Sequence, residues 1–353
     1  MKTTSLLIAL LLAATGFGQG DIMARPPKKQ GSANGLVRLV RDTRVGEPYH
    51  SRNMIVYPLF TSDCATRGVR TLDEALARRL IRISEKGEGN VPELLVENLS
   101  DDPVFLLAGE IVTGGRQNRV IAQDILLAPR SGPISLGVFC VEHGRWTTQT
   151  KYFDAEKELA HNQLRQQLSA PANSQSAVWS EVARKSSAIA PATAAAAPTG
   201  YLGAVFKDRA VQSSVEAYTK PIALPSDANG MAVVIGGQVV GVEIFGDSGT
   251  FRKLREKLLR SYAMDAMEHA ASETPAAGRG MVEEFLRRVE RARLASKQSV
   301  GIGRYFGIES GGLYGSVLLW HEQPGAHGVV HTSFFPETPA SEASPIRPMP
   351  QLR

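Results

Sequence analysis

Two runs rich in β-branched residues, Met231-Ala232-Val233-Val234-Ile235 and Gln238-Val239-Val240-Gly241-Val242-Glu243-Ile244-Phe245, flank Gly236-Gly237. Paired glycines take positive φ without steric cost, so this pattern specifies a tight antiparallel hairpin. The same local pairing recurs along the chain. Residues 53–60 read as a strand. Residues 92–99 and 103–108 predict a hairpin around Ser100-Asp101-Asp102. Residues 119–127 and 134–141 predict two further strands, and 313–320 and 328–335 a last hairpin around Gln323-Pro324-Gly325. Helices fall between them. Thr71 and Glu74 form a capping box before Leu72, Ala75, Leu76, Leu80 and Ile81. Residues 154–168, a stretch through Trp179, Val182 and Ala183, and 208–218 predict three more helices. Ser248 or Thr250 caps the next, with Phe251, Leu254, Leu258 and Tyr262 on one face, and Val282, Phe285, Leu286 and Val289 mark another. Local strand pairs with helices inserted predict an α+β fold: mostly antiparallel sheet built from hairpins, with helices packed on it.

Of the 353 residues, 43% are hydrophobic and 21% charged, which places the chain among folded rather than disordered proteins. The net charge of +5 is dispersed, without a basic stripe carrying stacking aromatics, so no nucleic-acid partner is expected. Residues 1–20 read as a signal peptide: Lys2, then an apolar run from Leu6 to Ala14, then small residues. A buried N-terminal helix is the competing reading. The signal implies an exported product, periplasmic or extracellular, with no stable membrane insertion after cleavage. Residues 21–36 read as a flexible leader, 37–336 as one domain with an Ala/Pro-rich insertion at 188–200, and 337–353 as a disordered tail. Export permits a disulfide between Cys64 and Cys140, whereas the apolar run before Cys140 fits a buried free thiol.

Candidate chemistry gathers in two polar bends. In the first, Thr113-Gly114-Gly115 is able to present successive N–H groups to an anion. Arg116 and Arg119 add forked donors, Gln117 and Asn118 suit a polar ligand edge, and Glu110 is a candidate base. The competing reading is a turn whose side chains tie down neighbouring backbone. The second bend carries Glu142, His143, Arg145 and Trp146. There His143 and Glu142 are candidate proton carriers, Arg145 a charge partner and Trp146 a stacking surface. Alternatively Trp146 caps the core and Glu142 pairs with Arg145. Other resemblances to known sites are weaker. Gly246-Asp247-Ser248-Gly249 reads as a helix cap rather than a protease nucleophile. His321, His327 and His331 share one hairpin without firm supporting partners, so no metal is expected. No glycine-rich dinucleotide fingerprint or phosphate loop is present, and no cofactor is expected.

Leu107-Ala108-Gly109-Glu110 through Arg119, followed by Cys140-Val141-Glu142-His143-Gly144-Arg145-Trp146, resembles the ARG and Rhodanese-Phosphatase-superfamily-associated protein domain family. Where the family pattern favours Gln, this chain has His143. The resemblance extends through Trp179-Ser180-Glu181-Val182, Gly241-Val242-Glu243-Ile244-Phe245-Gly246, Asp265-Ala266 and Val330-His331-Thr332-Ser333-Phe334. It implies an association with ADP-ribosylglycohydrolases and rhodanese-phosphatases, and hence a nucleotide- or ADP-ribose-like ligand, without implying a reaction. The expectation is a domain that binds or processes a small anionic ligand at the two bends; the alternative is a non-catalytic module that docks a protein partner or serves structure alone.

Overall fold

The computed structural model describes residues 30–63, 68–90, 92–142, 148–171, 173–189, 205–269, 278–310, 312–320 and 328–337. The signal-like run 1–20, Cys64, the bend residues His143, Arg145 and Trp146, residues 190–200 of the insertion, His321, His327 and the tail from 338 lie outside the described residues.

The described residues open with α1 (Gln30–Asp42), β1 (Arg44–Val45), β2 (Tyr49–Ser51), β3 (Met54–Phe60), β4 (Arg70–Thr71) and α2 (Leu72–Ala77). Then follow β5 (Ile81–Asn90), β6 (Glu93–Asn98), β7 (Val104–Leu106), β8 (Glu110–Thr113), β9 (Arg119–Ile121), β10 (Ile125–Leu127), β11 (Ile134–Cys140) and β12 (Asp154–Leu159). Three helices come next, α3 (Asn162–Ser169), α4 (Gln175–Ile189) and α5 (Arg209–Thr219), before the hairpin β13 (Gly230–Ile235) and β14 (Gln238–Phe245). The described residues finish with α6 (Ser248–Glu268), α7 (Arg279–Glu290), β15 (Leu294–Lys297), β16 (Arg304–Glu309), β17 (Leu313–Leu319) and β18 (Val329–Pro336). The fold is α+β, and every strand pair is antiparallel except β4 with β7.

A nine-stranded sheet, in the order β1-β3-β13-β14-β18-β17-β16-β15 with β2 also on β3, divides the core. All six residues of β13 are buried, as expected for a strand covered on both faces. One face packs against α1 and α7, through Leu36, Leu39 and Val40 of the first and Val282, Phe285, Leu286 and Val289 of the second. The 3- and 4-residue spacing of these positions puts each set on one side of its helix. Residues 30–36, expected as leader, thus belong largely to a helix with its own buried stripe. The other face packs against α3 to α6, with Phe251, Leu254, Leu258 and Tyr262 of α6 at the centre. Asp247, rather than Ser248 or Thr250, is the N-cap of α6, its carboxylate accepting from the Thr250 N–H at 2.7 Å. Gly236 and Gly237 take φ of 55° and 81°, the mirror-image turn that suits a twisted hairpin.

The remaining strands build a second body. Six strands run in the order β12-β8-β9-β11-β6-β5. The two edges then meet: Ser84 bridges Tyr152, and the Phe153 N–H donates to the Ile83 carbonyl at 2.9 Å. This closes the sheet into a small barrel filled by Ile81, Ile83, Leu94, Val96, Val112, Ile121, Leu136, Val138 and Phe153. Strands β10-β7-β4 and helix α2 pack on the same core at the end where β5 begins. The opposite end, where β5, β8 and β11 finish and β12 begins, carries Gly115.

Two expectations give way here. Strands β6 and β7 do not pair as a hairpin, because β6 already has β5 and β11 on its two edges and β7 joins β10 and β4. Residues 154–168 are not one helix: the first six form β12, which completes the barrel, and helix begins only at Asn162.

Candidate functional site

The register of the barrel decides where the polar residues go. Val112 faces Arg119 across β8 and β9, and Arg119 faces Cys140 across β9 and β11. Directly opposed side chains share a face of the sheet, so Arg119 and Cys140 continue the row of Val112 on the barrel's inner face. Glu85 lies opposite the buried Leu94 and turns inward too. An arginine, a cysteine and a carboxylate therefore meet the Gly115 end from inside.

Arg119 is wholly buried, at 0% exposure. Its Nη1 donates to Gln117 Oε1 at a long 3.4 Å, while Nε and Nη2 have no hydrogen-bond partner among the described residues. Gln117 Oε1 also accepts from the Cys140 thiol at 2.9 Å, and its Nε2 donates to the Glu142 carbonyl at 2.9 Å. Cys140 is a free thiol. Burial pushes its pKa up to about 11, with Arg119 pulling it down and Glu85 and Glu142 adding to the rise. It is therefore a poor nucleophile near neutral pH. From α4, Gln175 clamps the Cys140 backbone on both sides, accepting from its N–H at 2.8 Å and donating to its carbonyl at 2.9 Å.

The turn over 114–118 has its own occupants. Gly114 and Gly115 have φ of 130° and 48°, and a Cβ on Gly115 would collide with the Phe153 ring and with Glu85 Oε1. The Arg116 N–H donates to Glu85 Oε1 at 2.8 Å, the Asn118 N–H to Glu142 Oε2 at 3.2 Å, and the Gly114 N–H to Asn118 Oδ1 at 3.3 Å. The Gly115 N–H reaches Thr150 Oγ1 at 3.4 Å. Thr113 pairs with Asp154 in the sheet. The N–H groups expected to cradle an anion thus hold oxygens of the chain itself. Glu85 Oε2, in contrast, is buried without a partner among the described residues. Residues 148–152 along this rim are exposed.

Glu110 is not part of this end. It starts β8, and the three-residue rise to Thr113 separates them by roughly 10 Å. It is 1% exposed, accepts from the Leu107 N–H at 2.9 Å and pairs with Lys257 at 2.9 Å. Burial pushes its carboxyl above the ordinary range, while Asp73 and Glu110 together hold Lys257 charged against its own burial. Residues 110–119 therefore split between two ends of the barrel, while Gln117 and Asn118 join Glu142.

Two further networks escaped sequence reasoning. Between the barrel and the large sheet, Glu243 accepts from Arg165 at 2.7 Å and from Tyr262 at 2.8 Å, and its second oxygen meets His331 at 3.0 Å. The other His331 nitrogen meets Asp124 at 2.7 Å. Burial alone would lower the His331 pKa; Asp124 and Glu243 reverse this and raise it to about 9. Burial alone would raise Glu243; Arg165 and His331 hold it down at about 2. Nearby, His161 meets Glu181 at 2.6 Å, Arg184 bonds Glu181 and Glu268, and Lys185 pairs with Asp265 at 2.6 Å. A signal for the first network was visible: Glu243 and His331 are charged or titratable residues inside otherwise apolar strands, where a buried partner is obligatory. Among the described residues, no group of three or more His, Cys, Asp or Glu side chains is placed to hold a metal. No described helix is long and apolar enough to cross a membrane.

A family model described as ARG and Rhodanese-Phosphatase-superfamily-associated Protein domain, ARPP-1, matches residues 42–335. The chain belongs to this family. The ARPP-1 region begins at the last residue of α1 and ends one residue short of the end of β18, so it contains the barrel, the large sheet and both networks. No curated protein and no solved structure matches the chain.

Proposed function

We propose that this ARPP-1 domain binds a small polar ligand at the Gly115 end of the barrel, with Arg119 as the partner of an anionic group. The observation that carries the reading is the pair of nitrogens, unbonded among the described residues, on a guanidinium with no exposed surface. A buried donor left unmet costs about 1–3 kcal/mol, and more when charged. An oxygen pair from outside the chain, in the side-on geometry of a carboxylate or phosphate, meets both Nε–H and Nη2–H at once. Barrel ends are common places for such sites. Gln117 and Asn118 belong to the frame around Arg119 rather than to the ligand, since their polar groups hold Cys140, Glu142 and the turn. Glu142 acts in the same frame. ADP-ribose, nucleotides and sugar phosphates are the first ligand classes to try, because each offers phosphate oxygens.

The test is a thermal-shift screen of the full chain with ADP-ribose, nucleotides, inorganic phosphate, sugar phosphates and dicarboxylates, repeated on Arg119→Met. A bound ligand raises the melting temperature by mass action. The expected result is a concentration-dependent rise for at least one anion, absent in the variant. A flat response to every member, or equal rises in both proteins, overturns the reading. We also propose export, on the strength of Lys2 and the apolar run that follows it. N-terminal sequencing of the protein from the expressing cell tests that; an intact Met1 in the cytosolic fraction alone overturns it.

A further inference from the structure

The charges around Arg119 restrict what the ligand carries. Glu85 and Glu142 hold the Arg116 and Asn118 N–H groups of the turn that closes the end where Arg119 faces Cys140, so two carboxylates and one guanidinium share this end. A plain anion gains two hydrogen bonds from Arg119 but meets two like charges within the same low-dielectric neighbourhood. Both carboxylates already have one oxygen bound to a turn N–H. Glu85 Oε2 is the buried acceptor left over, on the inner face that Arg119 also occupies. Among the described residues this end thus leaves two donors and one acceptor unmet on one inner face, and their complement is a group with two acceptor oxygens that also carries a donor.

From this we infer that the site recognises an oxyanion flanked by a hydrogen-bond donor, a hydroxyl or an amine, and that Glu85 is the specificity-determining residue. The inference rests on the Arg119 reading and adds the second half of the ligand. The hydroxyl or ammonium donates to Glu85 Oε2, which offsets the repulsion that a bare anion suffers. A hydrogen bond to a charged acceptor is strong enough to favour such ligands about ten- to hundredfold over analogues lacking the donor. Glu85→Gln is a clean probe. Its amide oxygen keeps the bond from the Arg116 N–H, and its NH2 presents a donor where Oε2 accepted.

The experiment titrates acetate, glycolate and glycine, and separately methyl phosphate and glycerol phosphate at a pH where both are dianions, into the full chain at constant ionic strength, with binding followed by NMR shifts. Glycolate against glycine distinguishes a hydroxyl donor from an ammonium. The expected result is at least tenfold tighter binding of the donor-bearing member in each series, collapsing to parity in Glu85→Gln. Equal binding within each series, lost in Arg119→Met, overturns the inference and leaves the anion site standing. No binding by any probe removes both. Should Glu85→Gln fail to fold, the comparison within the unaltered protein still decides.

Discussion

Arg119 differs from every other buried charged residue among the described residues. Arg165, Lys185, Lys257 and Glu243 each sit against an opposite charge at 2.6–2.9 Å. Arg119 has, among the described residues, a single long bond, to an amide. Such contrast separates a group that holds the chain together from one that awaits something else. Sequence placed Glu110 and Arg119 in one polar bend, since residue type alone does not say which face of a strand a side chain takes or what stands opposite. Glu110 is a locking residue. Glu110→Gln is expected to cost about 2–3 kcal/mol, less than the ~3–5 kcal/mol of a fully orphaned partner because Asp73 still meets Lys257, and to leave ligand-induced shifts unchanged. Urea unfolding with the same ligand panel checks both parts. A loss of ligand response with unchanged stability would reverse the assignment.

At the scale of elements, local signals were legible and competition for edges was not. The Gly236-Gly237 hairpin, the Thr71 capping box and the pairing of β17 with β18 all form as their residues dictate. The expected hairpin at 100–102 fails for a non-local reason. Asn98 ties that loop down, donating to the Asp102 and Ala128 carbonyls at 2.8 and 2.9 Å, while β6 and β7 go to different sheets. Strand β12, Asp-Ala-Glu-Lys-Glu-Leu, has the composition of a helix, and pairing with β8 overrides that preference. The barrel's Gly115 end depends on one tight turn. Gly115→Ala forces a side chain into left-handed φ and against Phe153 and Glu85, an expected cost of about 1–3 kcal/mol. Denaturant melts of the variant check this; a change within error would mean the turn relaxes freely.

Across the whole molecule, three helices and two β bodies are tied by buried ion networks rather than by apolar contact alone. Asp124 lies between β9 of the barrel and β10 of the sheet packed on it, Glu243 and His331 on the large sheet, and Arg165 and Tyr262 on helices. These same positions supplied several residues of the family resemblance, and sequence did not reveal their partners because those lie up to 207 residues away. The networks set a pH dependence. His331 has a folded pKa of about 9 against an ordinary 6.5, so its contribution is complete below pH 6.5 and is lost as pH rises towards 9. His161 runs the other way: burial and Lys185 depress it, so its neutral form favours the fold and stability falls as pH drops below 6.5. Stability should therefore peak near neutrality, and His331→Gln should flatten the alkaline arm. Urea midpoints across that range check it, and an unchanged alkaline slope in the variant would contradict the assignment.

The most direct test of an unmet guanidinium is the stability of Arg119→Met with and without inorganic phosphate. Replacing a buried, unpaired charge by an apolar side chain of similar length is expected to stabilise the ligand-free fold by about 1–3 kcal/mol, while the stabilisation by phosphate expected of the unaltered protein disappears. A variant that is less stable without ligand and gains as much from phosphate as the unaltered chain would contradict the account.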